Sequence, residues 1–239
     1  MSGTWGDYQY VTVAERKQQA EKALKKLKKA NPDIEPIIIQ GRSIATTWWG
    51  NAWNQNLESY ADYYSRIGRG RSYVRNGMVL DLRIEAGRVS ALVAGSARTP
   101  YRIEIKIDPL SDKKWRSVLK QTTQKIGSIA ELAEGKFPKE LAEVFLRQGD
   151  GLFPSPKEIH LSCSCPDWAV LCKHVAAALY AVGARMDQDP LLFFKLRSIP
   201  FQELIKKSVD AKVKNMLKNA GKKSDRILKD ADISSLFGL

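Results

Sequence analysis

The chain has 239 residues, 44% of them hydrophobic, which is enough to bury one large core or two small ones. Its 39 lysines and arginines exceed its 26 acidic residues, and a formal charge of +13 favours nucleic acid or another polyanion, although a merely soluble basic surface would give the same sum. The apolar runs are too short for a membrane span and the start lacks a signal-peptide pattern, so we expect a soluble cytoplasmic protein without a membrane partner.

The first predicted element is a helix over residues 14–30 that carries seven lysines and arginines. Ala20, Leu24 and Leu27 lie on one side of it at helical separations. The charges indicate a solvated helix face, and a face that contacts phosphates is the alternative. The run Ile37-Ile38-Ile39 then predicts a short buried strand.

A second helix is predicted to open at residues 46–53 and to run to about Tyr64. Trp49, Trp53 and Tyr60 recur along it at mostly helical separations. Aromatic residues at such spacing favour packing in a core over a platform on which bases would stack.

An arginine-rich segment, residues 66–77, follows with four arginines, three glycines and no acidic residue. Arginine matches phosphate with a bidentate fork, and glycine lets a backbone approach closely. We interpret the segment as a basic hairpin or loop that contacts nucleic acid, with an ordinary turn carrying exposed arginines as the alternative. The candidate nucleic-acid-binding residues are Arg66, Arg69, Arg71, Arg75 and, further along the chain, Lys173.

Strict alternation between residues 78 and 107 predicts three antiparallel strands. One face of each strand is apolar, so the sheet has one face free to take helices. The carboxylates Asp81, Glu85 and Glu104 fall on the solvated positions, which indicates surface residues and not a catalytic site. Helices are then predicted over 111–126, 128–134 and 138–148, before a Gly/Pro/Ser-rich loop at 149–156 that marks a candidate domain boundary.

All three cysteines and one of the two histidines lie within twelve residues, as Cys163, Cys165, Cys172 and His174. Three thiolates and an imidazole complete the tetrahedral ligand set of a structural Zn²⁺. A turn at Pro166-Asp167 can bring the two pairs together, and the apolar stripe after Cys172 predicts a helix whose N-terminus favours thiolate. A disulfide is disfavoured because the number of cysteines is odd.

This ligand set predicts one structural zinc ion and no enzymatic activity. A catalytic zinc keeps one position open beside three protein ligands, whereas this motif fills all four. His160 falls on the opposite face of its strand from Cys163, so we interpret it as non-ligating. A nuclease or zinc hydrolase is the enzyme alternative, but the chain contains no Walker loop or triad arrangement.

Cys-x-Cys followed six residues later by Cys-x-His resembles the signature of the SWIM zinc finger, a small ββα unit implicated in binding DNA or protein. From about residue 8 to 205 the chain also resembles prokaryotic SWIM zinc finger family proteins. The resemblance implies metal ligands alone in the finger, a DNA-linked role, and a Swi/Snf-type helicase-like ATPase as partner. The segments that carry it are Trp48-Trp49-Gly50-Asn51-Ala52-Trp53, Arg69-Gly70-Arg71-Ser72-Tyr73, Tyr101-Arg102-Ile103, Gly151-Leu152-Phe153-Pro154, Cys172-Lys173-His174-Val175-Ala176-Ala177 and Asp189-Pro190-Leu191-Leu192-Phe193.

Together these patterns predict an α+β fold, with an antiparallel three- to four-stranded sheet packed with helices, then a small ββα zinc unit and a helical tail. The expected division is an N-terminal segment with a basic helix and short strand (1–47), an α+β domain (48–150), the zinc unit (151–199) and a basic tail (200–239). The tail keeps a helical apolar stripe that favours packing on its own domain, with a membrane surface or partner groove as alternatives.

The function expected from the sequence is a non-enzymatic zinc protein that binds nucleic acid, DNA before RNA, without a small-molecule substrate. A protein–protein adaptor that uses the zinc finger and the tail is the alternative.

Overall fold

The centre of the fold is a four-stranded antiparallel sheet, seen in a computed structural model that describes residues 11–59, 64–122, 141–147 and 151–220. The strands lie in chain order, β1-β2-β3-β4, each antiparallel to its neighbour. The three strands predicted from alternation are confirmed, and the segment that leads to the cysteines adds the fourth. The strands are β1 (Val79–Glu85), β2 (Arg88–Val93), β3 (Tyr101–Ile107) and β4 (Ile159–Cys163).

Helices surround this sheet, so the mixed α+β class is confirmed. The first begins with a capping box, in which the side chains of Thr12 and Glu15 bond each other's backbone N–H groups, and it ends at Asn31 before Pro32. Within the described residues the helices are α1 (Val13–Ala30), α2 (Trp48–Glu58), α3 (Tyr64–Arg75), α4 (Asp112–Thr122), α5 (Ala142–Phe145), α6 (Lys173–Gln188), α7 (Leu191–Leu196) and α8 (Phe201–Ala220).

The sheet buries one face, as the alternation predicts. Ile103, Ile105 and Ile107 of β3 are almost fully buried, as are their neighbours on β1 and β2. On the other face, Glu104 pairs with Arg88 at 3.2 Å, which makes it an ordinary surface carboxylate. Helix α6 contacts all four strands and forms part of the core beneath them.

Helix α6 is buried along almost its whole length, from His174 to Gly183. Its alanines are strong helix formers and small enough to let neighbours come close. A Cβ added at Gly70 of α3 would lie 2.5 Å from the Cβ of Ala176, so these two helices touch nearly backbone to backbone. On another side, Trp53 of α2 donates its indole N–H to the carbonyl of Leu179 at 2.8 Å.

A buried arginine joins the end of the sheet to the helices that follow the finger. Arg197, whose side chain is completely buried, donates to Glu158 at 2.8 Å and to the backbone carbonyl of Asp108 at 2.6 Å. Glu158 lies in a short 3₁₀ turn, Pro156–Glu158, immediately before β4.

One hydrophobic cluster includes residues from both sides of the 149–156 loop. The division of the chain into domains stays a prediction.

Several sequence predictions about local structure were wrong. Residues 37–39 form no strand: Ile38 is 71% exposed, although Ile37 donates its N–H to Val79 at the edge of the sheet. The second helix ends at Glu58, and Arg66 to Arg75 belong to helix α3 and not to a hairpin or loop. The helix over 138–148 is helical only at 142–145 in its described part.

The C-terminal predictions have a mixed outcome. The helix predicted after Cys172 is α6, which runs to Gln188. In α8, Leu204 and Ser208 are buried against the domain, but Met216 and Leu217 are each 72% exposed. The predicted helix at 128–134 and the last seven residues lie outside the described residues. None of the described helices combines the length and the hydropathy needed to cross a membrane.

Candidate metal centre and basic surface

The four predicted ligands come from the end of a strand, the loop after it and the start of a helix. Cys163 ends β4, and Cys165 lies two residues further along the loop. Cys172 is the N-cap of α6, and His174 lies in its first turn. The four ligand atoms, three Sγ and one imidazole nitrogen, all lie within 4.8 Å of one another. The loop therefore folds back as its Pro166-Asp167 turn predicts.

The spacing of these atoms suits a tetrahedral zinc ion. Zn–S and Zn–N bonds of about 2.3 and 2.0 Å place neighbouring ligand atoms roughly 3.5–3.8 Å apart. The Sγ of Cys172 lies 3.9 Å from Nδ1 of His174, so Nδ1 is the ring nitrogen that faces the thiols. These two side chains are 1% and 2% exposed, which closes the site on the side of the core.

Hydrogen bonds between the cysteine side chains move their pKa values in opposite directions. A hydrogen bond from Cys163, supported by His174 and the backbone N–H of Val175, lowers the pKa of Cys172 to about 3. The same hydrogen bond, together with burial, raises the pKa of Cys163, and burial raises the pKa of Cys165. The side chains by themselves therefore favour one thiolate beside two thiols. A divalent cation that prefers sulfur would displace both protons and hold three thiolates, so the donor set fits zinc.

The imidazole of His174 is held by packing. Its ring centre lies 4.3 Å from that of Tyr101 and 5.5 Å from that of Tyr73. A Cβ on Gly95 would lie 2.8 Å from Nε2, so the backbone of Gly95 lies close to this edge of the ring. Within the described residues, Nε2 has no hydrogen-bond partner. The sequence assigned no role to these neighbours, although the Tyr101-Arg102-Ile103 segment belongs to the resemblance.

His160 lies apart from the ligand cluster. It is exposed on β4, and its Nε2 is 3.0 Å from a carboxylate oxygen of Asp108. This position agrees with the prediction that His160 is not a zinc ligand. With four donors converging, the arrangement supplies a complete tetrahedral shell for one structural zinc ion.

Two of the four candidate arginines form ion pairs inside the protein. Arg66 contacts Asp167 of the ligand loop at 2.5 Å, and Asp167 also accepts the backbone N–H of Ala169 at 3.2 Å. Arg66 therefore ties α3 to the loop between the two ligand pairs. The segment itself contains no acidic residue, and the carboxylate that pairs with Arg66 lies 101 residues away in sequence.

Arg71 belongs to a second, partly buried network. It contacts Glu58 at 2.7 Å and donates to the hydroxyl of Tyr180 at 2.8 Å, and that hydroxyl donates to Glu58 at 2.6 Å. Burial and the hydrogen bond to Glu58 raise the pKa of Tyr180, which keeps it a donor. Arg71 thereby links α2, α3 and α6.

The other two arginines differ from these. Arg69 and Arg75 are exposed on α3 and form no ion pair within the described residues. Lys173, at the start of α6, lies over the ring of Tyr73 at 5.8 Å from its centre. The structure thus divides the five candidates into two that form ion pairs within the fold and three that lie at or near the surface.

Comparison with known proteins identifies the segment that contains the ligands. Residues 146–183 match the family model of the SWIM zinc finger, and all four ligands fall within this match. The chain is also 38% identical over 164 residues to Uncharacterized protein Rv2102 of Mycobacterium tuberculosis. The match covers 68% of this chain and 59% of that relative, so the chain spans less than two thirds of its length. No solved structure matches the chain.

Proposed function

Because residues 146–183 form a SWIM zinc finger, we propose that the chain is a non-enzymatic zinc protein that binds nucleic acid, with DNA as its first partner. The metal holds the ligand loop and the start of α6 together and takes no part in chemistry, since all four of its positions belong to the protein. Affinity comes from cations that contact phosphates, which gives binding with little sequence preference.

The exposed pair Arg69 and Arg75 is the observation that carries this proposal. Both arginines lie on α3, the helix that packs against α6. The two described carboxylates that pair with arginines of α3, Glu58 and Asp167, hold Arg71 and Arg66. The charge of Arg69 and Arg75 is therefore available to phosphate, for which arginine is a bidentate partner.

The test compares two double variants across a salt series with duplex DNA, single-stranded DNA and RNA. Arg69→Ala with Arg75→Ala should lower the salt slope by about 1.8 on duplex DNA and by about 1.4 on a single strand, at about 0.9 and 0.7 per lost phosphate contact. The matched control is Arg88→Ala with Lys106→Ala, which removes two exposed cations that pair with Glu104. This control should leave the slope nearly unchanged.

Equal losses in the two double variants would show only a general effect of net charge. No binding by the zinc-loaded wild type at low salt would contradict the function itself. Melting temperature and zinc content verify that each variant is folded.

The proposed partnership with a Swi/Snf-type helicase-like ATPase rests on family resemblance alone. A nucleic-acid-binding zinc protein could deliver such an ATPase to its substrate. Pull-down of the tagged, zinc-loaded chain in the presence of nuclease tests it, since a real partner stays bound when the nucleic acid is digested.

A protein–protein adaptor is the second candidate, and exposed apolar side chains favour it. Trp168 and Val170, in the loop between the ligand pairs, are 78% and 74% exposed. Large apolar residues at a rigid surface position are typical of protein contacts. If the wild type fails to bind nucleic acid, this reading replaces the first.

A further inference from the structure

A basic groove lies between α1 and the segment that connects β2 to β3. Its volume is about 460 Å³, and residues from both elements line it. One wall carries Lys22 and Lys26, and the other carries Arg98 after the backbone of Gly95 and Ser96. The sequence predicts a basic face on α1 but not a groove, and the zinc site does not account for it.

The groove concentrates positive charge without an internal counter-charge. Lys22, Lys26 and Arg98 are exposed, no acidic residue lines the groove, and within the described residues none of the three forms an ion pair. Lysines four residues apart on a helix repel each other by a few tenths of a kcal/mol. Cations placed together at such a cost favour an anionic occupant that bridges them.

The groove also adjoins the two features already described. Gly95 in its wall lies close to Nε2 of His174, so the groove wall adjoins the metal centre. The N–H of Ala94, next to Gly95, donates to the carbonyl of Met78 at 2.8 Å. Met78 follows three residues after Arg75, at the end of α3. The groove therefore begins close to where the helix with the exposed arginines ends.

We propose that this groove binds consecutive phosphates of a nucleic acid strand, with Lys22 and Lys26 on one side of the strand and Arg98 on the other. The inference rests on the proposed function and assigns it a specific surface. Small and amide-bearing side chains between the cations leave room for the sugar–phosphate backbone and present no charge that would repel it. The occupant is thus a phosphodiester strand, recognised through its backbone and not through its bases.

The chain offers a matched control on the same helix. Lys22→Gln with Lys26→Gln removes two cations from the groove. Lys25→Gln with Lys29→Gln removes two equally exposed cations of α1 that do not line it. Arg98→Ala tests the opposite wall from a different element. All variants keep the zinc ligands, so zinc content and melting temperature should stay at the wild-type values.

Binding of the zinc-loaded chain to single-stranded and duplex DNA is measured across a salt series. The groove pair should lower the salt slope by about 1.8 on duplex DNA, and Arg98→Ala should lower it by about 0.9. The Lys25/Lys29 control should keep the wild-type slope. Inorganic phosphate as competitor should displace DNA only at far higher concentration than an oligonucleotide, because it fills one phosphate position and not several.

Equal effects of the two lysine pairs would overturn the groove and leave only the overall charge of α1. Wild-type binding by the groove pair would also overturn it, while the Arg69/Arg75 comparison would still test the function. If the wild type binds no nucleic acid, both proposals fail together.

Discussion

A single missing side chain sets how closely the finger helix approaches its neighbour. A Cβ at Gly70 would lie 2.5 Å from that of Ala176 and 3.1 Å from the backbone of Ala176 and Ala177, so α6 itself would have to move. Gly68, two residues earlier on the same helix, is exposed, and its Cβ would meet nothing within 4 Å. Gly70 therefore permits the close contact between the two helices, whereas Gly68 has no neighbour that requires a glycine.

Gly70→Ala should destabilise the protein by about 1–2 kcal/mol, because overpacking typically costs about 1–3 kcal/mol and the better helix propensity of alanine returns only part of it. Gly68→Ala should be neutral or stabilising, by up to about 1 kcal/mol. Urea denaturation of both variants measures the difference. A Gly70→Ala protein as stable as Gly68→Ala would show that the helices separate without cost.

At the scale of elements, patterns with a strict period were predictable and those that depend on distant partners were not. The strands followed from alternation, because every second side chain must enter the core. Four ligands of matching chemistry within twelve residues indicated the metal without any knowledge of the fold. The arginine-rich segment read as a loop, since its glycines suggest flexibility locally. Its helix packs on α6 and pairs with carboxylates outside the segment, Glu58 of α2 and Asp167 of the ligand loop.

The ion pair between Arg197 and Glu158 also joins residues that are far apart in sequence. It makes the stability of the protein depend on pH. Burial alone would raise the pKa of Glu158, but hydrogen bonds from Arg197 and from Ser155 outweigh it and hold the pKa at about 2. A carboxyl whose pKa is lowered on folding stabilises the protein above its unfolded pKa, near 4.5. That contribution is lost as pH falls from there to about 2.

Glu158→Gln should therefore cost about 3 kcal/mol at neutral pH, since it leaves the buried Arg197 without its counter-charge. The difference from wild type should shrink as the pH falls from about 4.5 toward 2. Glu104→Gln, which removes a surface carboxylate paired with exposed Arg88, should cost less than about 1 kcal/mol. Melting curves at several pH values test this, and a pH-independent gap between Glu158→Gln and wild type would contradict the ionic explanation.

At the scale of the molecule, the zinc site joins the sheet to its central helix. Cys163 belongs to β4, and Cys172 is the N-cap of α6, which packs against α2, α3 and the strands. In such a site the free energy of metal binding adds directly to the free energy of folding. Loss of the ion should therefore affect the stability of the whole core and not of the loop alone.

Purified protein should contain one zinc ion per chain, and Cys165→Ser should lose most of it. Its melting temperature should fall by at least roughly 6 °C, for a loss of about 3 kcal/mol at about 2 °C per kcal/mol. Ser162→Ala, at an exposed position on the same strand, should retain the metal. Elemental analysis and thermal unfolding with and without chelator provide the measurements. Full zinc content in Cys165→Ser would show that the ligand set is misassigned.

Because of the position of β4, loss of the metal should also affect the solubility of the protein. Among the described strands, β4 is the last of the sheet and has a neighbour, β3, on one side only. A sheet edge is a template on which another chain can add a strand, and proteins protect such edges by keeping them short and held in place. β4 has five residues, and its last one is a zinc ligand. Without zinc, β4 would be held less firmly and this edge of the sheet would be more accessible. Aggregation should therefore accompany metal loss, and light scattering during the same chelator titration would record it.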